Sequence, residues 1–247
     1  MSRQPDERPV EARADAASEP HSSGPPTLPE DLLLLLFRPE HGVIAGETTL
    51  FYALAGAVLA DLAFQGSVAA RRTRAASVDV EAVRGKAPSD EILLPAWKYL
   101  SNGPRGVQTV LPAIGPALRQ PVLDRLLARG DIREEKRTVL ALFHTTVLKE
   151  GHNGRRAGLV KDVRDVLLDG KEPTARTSAL AALIWGHGTL HRFDPEIPWN
   201  SSVIDRARRL EQGNWGAGAT GEAVTRTMTA AIVNNVISAT VSVSPRQ

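Results

Sequence analysis

The stretch Val58–Val68, with the sequence VLADLAFQGSV, recurs later in the chain as Val122–Ile132, VLDRLLARGDI. In each copy an apolar helical segment ends at a glycine, Gly66 or Gly130, and a short strand-like segment follows. Glycine is typical of a helix C-terminus because it adopts the left-handed backbone conformation without steric cost. The repeat therefore predicts a helix closed by glycine and followed by a β-hairpin, twice in one chain. Winged-helix DNA-binding proteins use this arrangement, and so does the scaffold of one class of membrane-associated protein.

The composition limits the classes of protein that this chain can belong to. Its 247 residues suffice for one large domain or two small ones with an ample core. Aromatic residues make up only 4%, so the core must consist of Leu, Val, Ile and Ala, which favours close-packed helices. The absence of cysteine excludes disulfides, zinc thiolate sites and thiol catalysis. No apolar run approaches the ~18 residues of a membrane-spanning helix, and no signal-peptide pattern opens the chain, so we expect a cytoplasmic protein.

The chain divides into a tail and one domain. Residues 1–26 are rich in Pro, Ser, Ala, Glu and Arg without apolar periodicity, so we expect a disordered tail. Order is expected to begin at Thr27, because Thr27 and Glu30 have the spacing of a capping box. No linker follows, which predicts a single domain over residues 27–247. The net charge of +2 is low for a nucleic-acid-binding domain but compatible with a local basic patch for an anionic surface.

Apolar periodicity predicts a mainly α fold with two short β-hairpins. The first helix is apolar on nearly all faces, so we expect it to be buried, and the last helix should be the central buried one. Helices are predicted at 28–37, 47–65, 92–100, 107–114, 117–129, 155–168, 173–190, 201–212 and 221–240. The first hairpin is predicted at 67–70 and 77–82, and the second at Asp131–Arg133 and Arg137–Val147.

Several of these stretches together resemble the Golgi phosphoprotein family. Leu28–Leu36 and Tyr52–Ala63, followed by Gly66, resemble the opening of that family. Leu126–Gly130, followed by the sequence Phe143-His144-Thr145-Thr146, resembles its second hairpin region. Arg176–Leu183 and the Ala- and Val-rich last helix also fit, so the resemblance covers about residues 27–241. A composition rich in Ala, Arg and Gly suggests a bacterial member.

The resemblance implies a central helical bundle wrapped by amphipathic helices, with a protruding β-hairpin. The eukaryotic members are peripheral Golgi proteins, not enzymes, which bind phosphatidylinositol 4-phosphate and retain glycosyltransferases by their cytosolic tails. Their headgroup pocket uses a Trp and an Arg around the second helix and two Arg before the helix of the second repeat. Alignment through Gly56 and Gly130 places Gly46, Ala55, Pro116 and Arg119 at these four positions. Only Arg119 therefore keeps its pocket residue type.

Arginines supply the candidate binding residues. A guanidinium fork suits phosphate oxygens, so Arg119 is a candidate anion-binding residue; the alternative is an ordinary surface arginine. Arg71, Arg72 and Arg74 lie at the predicted tip of the first hairpin, where they form an anion patch or a solvated turn that protects a strand edge. The pair Arg155-Arg156 has the same two interpretations.

Other motifs predict less. His187 and His191 have the i, i+4 spacing of metal-binding helices but lack a third ligand, so a helix end capped by carbonyls is favoured. Residues 216–221 match a dinucleotide-binding pattern but follow a helix instead of a strand, so we expect a loop. Trp199 is expected to pack against the fold, or else to contact a membrane interface. No arrangement of catalytic residues is present, so we expect no enzyme, no metal and no cofactor.

The leading hypothesis is a peripheral protein at the cytosolic membrane face that binds anionic lipid headgroups and serves as an adaptor for protein partners. A winged-helix DNA-binding regulator is one alternative. The other is an interaction scaffold without lipid binding, in which the second hairpin, with Phe143, His144, Thr145 and Thr146, mediates self-association. Under the leading hypothesis no nucleic acid is expected as a partner.

Overall fold

A computed structural model describes residues 24–72, 78–139, 143–213, 230–234 and 236, and their side chains except at 72, 137–139 and 143–145. The described helices are α1 (Leu28–Leu36), α2 (Leu50–Phe64), α3 (Leu94–Leu100), α4 (Val107–Ile114), α5 (Arg119–Ala128), α6 (Arg155–Leu167), α7 (Ala175–Gly186) and α8 (Ser201–Glu211). The strands are β1 (Phe37–Arg38), β2 (Val43–Ile44), β3 (Val68–Arg72), β4 (Val78–Ala82), β5 (Arg105–Gly106), β6 (Ile132–Val139) and β7 (Phe143–Glu150). The mainly α fold with short hairpins is therefore confirmed.

Helices α1 and α2 form the centre of the molecule. All nine residues of α1 are buried, as its all-round apolar character predicts. In α2 only Phe51, Tyr52 and Phe64 are not fully buried. A side chain at Gly56 of α2 would meet the Cγ2 of Val236 at 2.6 Å, which shows how closely Val236 approaches α2. The described part of the predicted last helix is thus packed in the core.

The two copies of the repeat end in the same way. Gly66 has a φ of 65° and Gly130 a φ of 70°, both in the left-handed region. The amide of the next residue donates back to the helix, from Ser67 to the carbonyl of Leu62 at 2.8 Å and from Asp131 to Leu126 at 2.9 Å. This Schellman pattern satisfies carbonyls that the helix end leaves free. The prediction of a helix closed by glycine and followed by a strand is confirmed in both copies.

The second hairpin differs from its prediction. Its strands β6 and β7 pair from Ile132 with Glu150 to Val139 with Phe143, so no turn lies between Arg133 and Arg137. The sequence predicts a turn at the charged residues 134–136, but they lie within β6, because a two-stranded ribbon exposes its side chains to solvent and accepts charges within a strand. The first hairpin, β3 with β4, lies close to its prediction and gains the short strand β5 as a third member.

Helices α2, α3, α5 and α7 begin two or three residues later than predicted, and the delays of α2 and α7 have local causes. Residues 46–49 form a turn before α2, in which Thr49 donates to the carbonyl of Gly46 at 3.1 Å. Helix α7 begins after Thr174, whose hydroxyl accepts from the amide of Thr177 at 3.1 Å as an N-cap. The break predicted near Gly115 is confirmed as a short 3₁₀ helix at Gly115–Ala117.

A buried carboxylate fixes the start of α1. Glu30 is fully buried and accepts from the backbone amide of Thr27 at 2.8 Å, in the predicted capping box. The same carboxylate accepts from Nε of Arg129 at 2.7 Å and from Nη1 of Arg125 at 3.4 Å. The N-terminus of α1 is therefore tied to α5, which belongs to the second copy of the repeat.

The neighbouring carboxylate, Asp31, ties α1 to two further helices. It accepts from Nε of Arg176 in α7 at 2.7 Å, and it also forms an ion pair with Arg155 at the start of α6. Arg155 contacts the buried Asp131 as well. Arg155 is therefore committed to structural ion pairs and does not form the anion patch considered for Arg155-Arg156.

Candidate anion-binding site

Arg119 is the first residue of α5 and lies opposite the turn that precedes α2. Its Nε lies 3.0 Å from Oε2 of Glu47, and its Nη2 lies 2.7 Å from Oε1 of the same carboxylate. This is a fork-to-fork contact, in which two parallel N–H groups donate to two oxygens. Arg119 therefore already presents its guanidinium to an oxyanion, here one supplied by the chain itself.

The pair is accessible to solvent. The side chains of Arg119 and Glu47 are 40% and 44% exposed. The hydrogen bonds that Arg119 donates to Glu47 raise the pKa of Arg119 above its usual value, so the guanidinium stays charged. Exposed ion pairs of this kind stabilise proteins by only about 0–1 kcal/mol. An external anion could thus replace the Glu47 carboxylate at little cost in stability.

The turn that carries Glu47 rests on His187, the C-cap residue of α7. The Nε2 of His187 lies 3.2 Å from the carbonyl oxygen of Gly46 and 3.0 Å from Oγ1 of Thr49. The interpretation of His187 as a helix-end histidine satisfied by a carbonyl agrees with this contact. Burial lowers the pKa of His187, and the charge of Arg192 lowers it further, so the ring is neutral in the fold.

The three other positions aligned with the family's pocket offer no headgroup ligand. Gly46 has a φ of 70°, and a Cβ there would lie 2.2 Å from Cε1 of His187, so His187 fills the space that a tryptophan at this position would need. Ala55 is fully buried in α2. Pro116 has no side-chain donor and lies in the 3₁₀ turn before α5. Arg119 thus lacks the neighbours that the family uses.

The predicted hairpin patch is only partly described. Arg71 lies in β3 with its side chain 76% exposed, and its Nη2 donates to Glu81 of β4 at 3.0 Å. Arg72 pairs in register with Val78, and Arg74 lies outside the described residues. The Glu81 contact neutralises part of the positive charge that the sequence predicts for this hairpin.

The hairpin residues proposed for self-association lie in β7. Phe143, His144 and Thr145 pair with Val139, Thr138 and Arg137 in the ladder, and residues 140–142 lie outside the described part. Thr146 has an exposed side chain. Their role in self-association stays a prediction.

Trp199 is an exposed aromatic residue on the loop before α8. Its side chain is 47% exposed, and its ring centroid lies 6.2 Å from that of Trp185 and 5.9 Å from that of His191. Within the described ranges, Val43, at 51%, is the only other large hydrophobic residue that is exposed. One face of Trp199 therefore packs on the fold, and the other faces solvent.

Three other predictions meet different outcomes. Helix α2 is largely buried, so it cannot enter the major groove of DNA as a winged-helix protein would require. His187 and His191 belong to no group of three metal-ligand side chains among the residues that the structure covers. Residues 216–221, for which a loop is predicted, lie outside the part of the chain that the structure describes.

Sequence reasoning did not identify Glu47 or the contact between His187 and the turn. Glu47 and Arg119 are 72 positions apart, and His187 and Gly46 are 141 apart. Glu47 follows a glycine directly before a helix, which marks an acidic residue in a turn but does not indicate its partner. Only the packing of α2, α5 and α7 brings these residues together.

The comparison with known protein families agrees with this fold. Residues 28–227 match the family model described as Golgi phosphoprotein 3 (GPP34). No curated protein sequence matches the chain. In the described part of the chain, no helix is both long enough and apolar enough to cross a membrane. Because the family match covers more than half of the chain, the protein belongs to the Golgi phosphoprotein 3 family.

Proposed function

We propose that the protein is a non-enzymatic peripheral membrane protein that binds the phosphate of anionic lipid headgroups through Arg119. The observation that carries the proposal is the exposed two-point contact between Arg119 and the Glu47 carboxylate. A guanidinium that holds one oxyanion in this geometry offers the same donors to a phosphate. The proposed site is therefore one in which a lipid phosphate exchanges with Glu47.

The surroundings of Arg119 support anion binding. Arg119 begins α5, a helix of ten residues, and the dipole at a helix N-terminus favours a negative charge. Each basic side chain near an anionic leaflet contributes about 1 kcal/mol to membrane binding, which is about a fivefold change in affinity. That gain is comparable to the weak exposed ion pair that it would replace.

The site is expected to accept different anionic headgroups. Gly46, Ala55 and Pro116 supply no side-chain donors, so these three positions do not distinguish phosphatidylinositol 4-phosphate from another anionic headgroup of equal charge. Trp199 supports the proposal independently, because a half-exposed indole ring suits the membrane–water interface. The adaptor role toward protein partners is part of the same proposal through the family resemblance.

Vesicle co-sedimentation tests the site. We expect the full chain to bind phosphatidylcholine vesicles that contain phosphatidylglycerol, and Arg119→Gln to weaken binding about fivefold because one charge near the leaflet is lost. Phosphatidylinositol 4-phosphate at matched vesicle charge should bind equally well.

The control is Arg208→Gln, which removes the same charge from another exposed arginine, one paired with Asp205 in α8. It should leave vesicle binding nearly unchanged. Binding that does not depend on anionic lipid, or an equal loss in the two variants, would refute Arg119 as the site.

A further inference from the structure

A charged cavity, separate from the Arg119 site, lies between β1, the start of α6 and the loop that follows the 3₁₀ helix Leu190–Phe193. Its volume is about 200 Å³. Pockets for drug-sized ligands have volumes of about 300 Å³ or more, so this smaller cavity suits a small polar group. The charged side chains that line it are Arg38, Glu40, Arg156, Arg192, Asp194 and Glu196.

Backbone carbonyls hold two of these arginines in place. Nη1 of Arg38 donates to the carbonyl of Arg192 at 2.8 Å, and Nε of Arg156 donates to the carbonyl of Phe37 at 3.0 Å. The guanidinium of Arg156 is thus fixed to β1, and the guanidinium of Arg38 is fixed to the 3₁₀ helix Leu190–Phe193. The carbonyl of Phe37 uses only one nitrogen of Arg156, so the other N–H donors of Arg156 are left for further partners, whereas those of Arg38 contact Glu40.

The charges around the cavity are balanced but only partly paired. Arg38 forms an ion pair with Glu40. Arg156 and Arg192 form no ion pair within 4.0 Å with any carboxylate in the described part of the chain. Asp194 and Glu196 likewise form no ion pair within 4.0 Å with any basic side chain in the described part of the chain. Two cations and two anions thus share one small cavity without neutralising each other.

We propose that this cavity binds a zwitterion of the phosphoethanolamine type, which carries a phosphate and a primary ammonium group. Arg156 and Arg192 would hold the phosphate, because guanidinium forks match its oxygens. Asp194 and Glu196 would accept hydrogen bonds from the ammonium, which has three donors. A plain anion would leave both carboxylates beside it uncompensated. A lipid headgroup and soluble O-phosphoethanolamine share this chemistry.

The two sources are separated by titrating the full chain with soluble O-phosphoethanolamine and, separately, with vesicles. The vesicles are phosphatidylcholine with and without phosphatidylethanolamine, because the choline ammonium has no N–H donors. Using the Arg119→Gln variant for the vesicle arm keeps the result independent of the proposed function. Binding of the soluble compound indicates a free ligand, and a phosphatidylethanolamine-dependent gain on vesicles alone indicates a headgroup; both outcomes support the proposal.

Separate variants test the phosphate contact and the ammonium contact of the proposed zwitterion. Arg156→Gln should weaken binding of O-phosphoethanolamine at least tenfold, while Arg164→Gln, which removes an exposed arginine of the same helix, should not. Glu196→Gln should weaken O-phosphoethanolamine but not inorganic phosphate. Thermal unfolding shows whether each variant is folded. Equal affinity for inorganic phosphate and O-phosphoethanolamine, or no binding of either the soluble compound or the vesicles, would overturn the proposal.

Discussion

At the scale of single residues, Glu47 and His187 decide what the candidate site can do. Glu47 holds the fork of Arg119, and His187 supports the turn from which Glu47 projects. The ring of His187 faces Gly46, Thr49 and Thr189, which carry no titratable side chain, and Arg192 is the charged group that acts on it. The site therefore rests on a histidine whose pKa is lowered by burial.

This histidine predicts a pH dependence of stability. Its pKa in the fold lies below the usual 6.5, so the unfolded chain binds a proton that the fold does not. The free energy of unfolding should therefore fall as the pH drops below 6.5, by up to about 1.4 kcal/mol per pH unit. The loss should level off below the folded-state pKa. Urea unfolding between pH 8 and pH 5 measures it.

The control for this prediction is His187→Gln, whose amide can still donate to the carbonyl of Gly46. The difference in unfolding free energy between the wild type and this variant isolates the histidine from other titrating groups, such as the buried Asp61. It should shrink as the pH falls. Parallel pH profiles would contradict the assignment of a neutral His187.

Contacts at this scale were predictable from the sequence only when they were local. The capping box of Thr27 and Glu30 and the closing residues Gly66 and Gly130 depend on neighbours within a few positions. The partner of Arg119 depends on how distant helices pack, and the sequence around Arg119 contains no information about it. The sequence therefore predicts Arg119 as a candidate residue but does not predict its partner, the carboxylate of Glu47.

At the scale of elements, α1 is joined to α5, α6 and α7 by ion pairs at its N-terminus. Glu30 accepts from Arg125 and Arg129, and Asp31 from Arg155 and Arg176. Removal of one partner from a buried ion pair leaves an uncompensated charge, which costs more than the pair itself contributes. These contacts therefore determine whether the helices that carry the two charged sites stay in place.

Glu30→Gln should lower the free energy of unfolding by about 3 kcal/mol, because Arg129 loses its carboxylate partner and Arg125 keeps only Asp90. Urea denaturation at pH 7 measures the change. Glu172→Gln, at an exposed position, should change stability by less than about 0.5 kcal/mol. A loss below about 1 kcal/mol in Glu30→Gln would show that the network is not structurally important.

Elements were predictable where hydrophobic periodicity is strong. The helices from α1 to α8 follow such patterns, and the buried α1 follows from its run of leucines. The turn of the second hairpin was predicted wrongly at residues 134–136 because these residues of β6 are charged. No Gly, Pro or Asn between residues 131 and 147 marks the position of a turn. The short strands β1, β2 and β5 have two residues each, too few for a period to be detected.

At the scale of the whole molecule, the family fold is retained, while three of its four headgroup positions have changed. The bundle, the glycine-closed repeat and the hairpins agree with membership of the Golgi phosphoprotein 3 family. The resemblance could predict this scaffold because it depends on apolar spacing over many residues. It could not predict the chemistry at Arg119, which depends on one carboxylate that this chain supplies.

The proposed competition between Glu47 and lipid phosphate for Arg119 can be measured by the binding of the Glu47→Gln variant to phosphatidylglycerol-containing vesicles. We expect about fivefold tighter binding than the wild type, since the fork of Arg119 becomes free. The control Asp205→Asn adds the same net charge and frees Arg208 instead. We expect no gain in this control and none from Glu47→Gln when Arg119→Gln is also present. A gain from Glu47→Gln that equals the control, or that persists without Arg119, would contradict it.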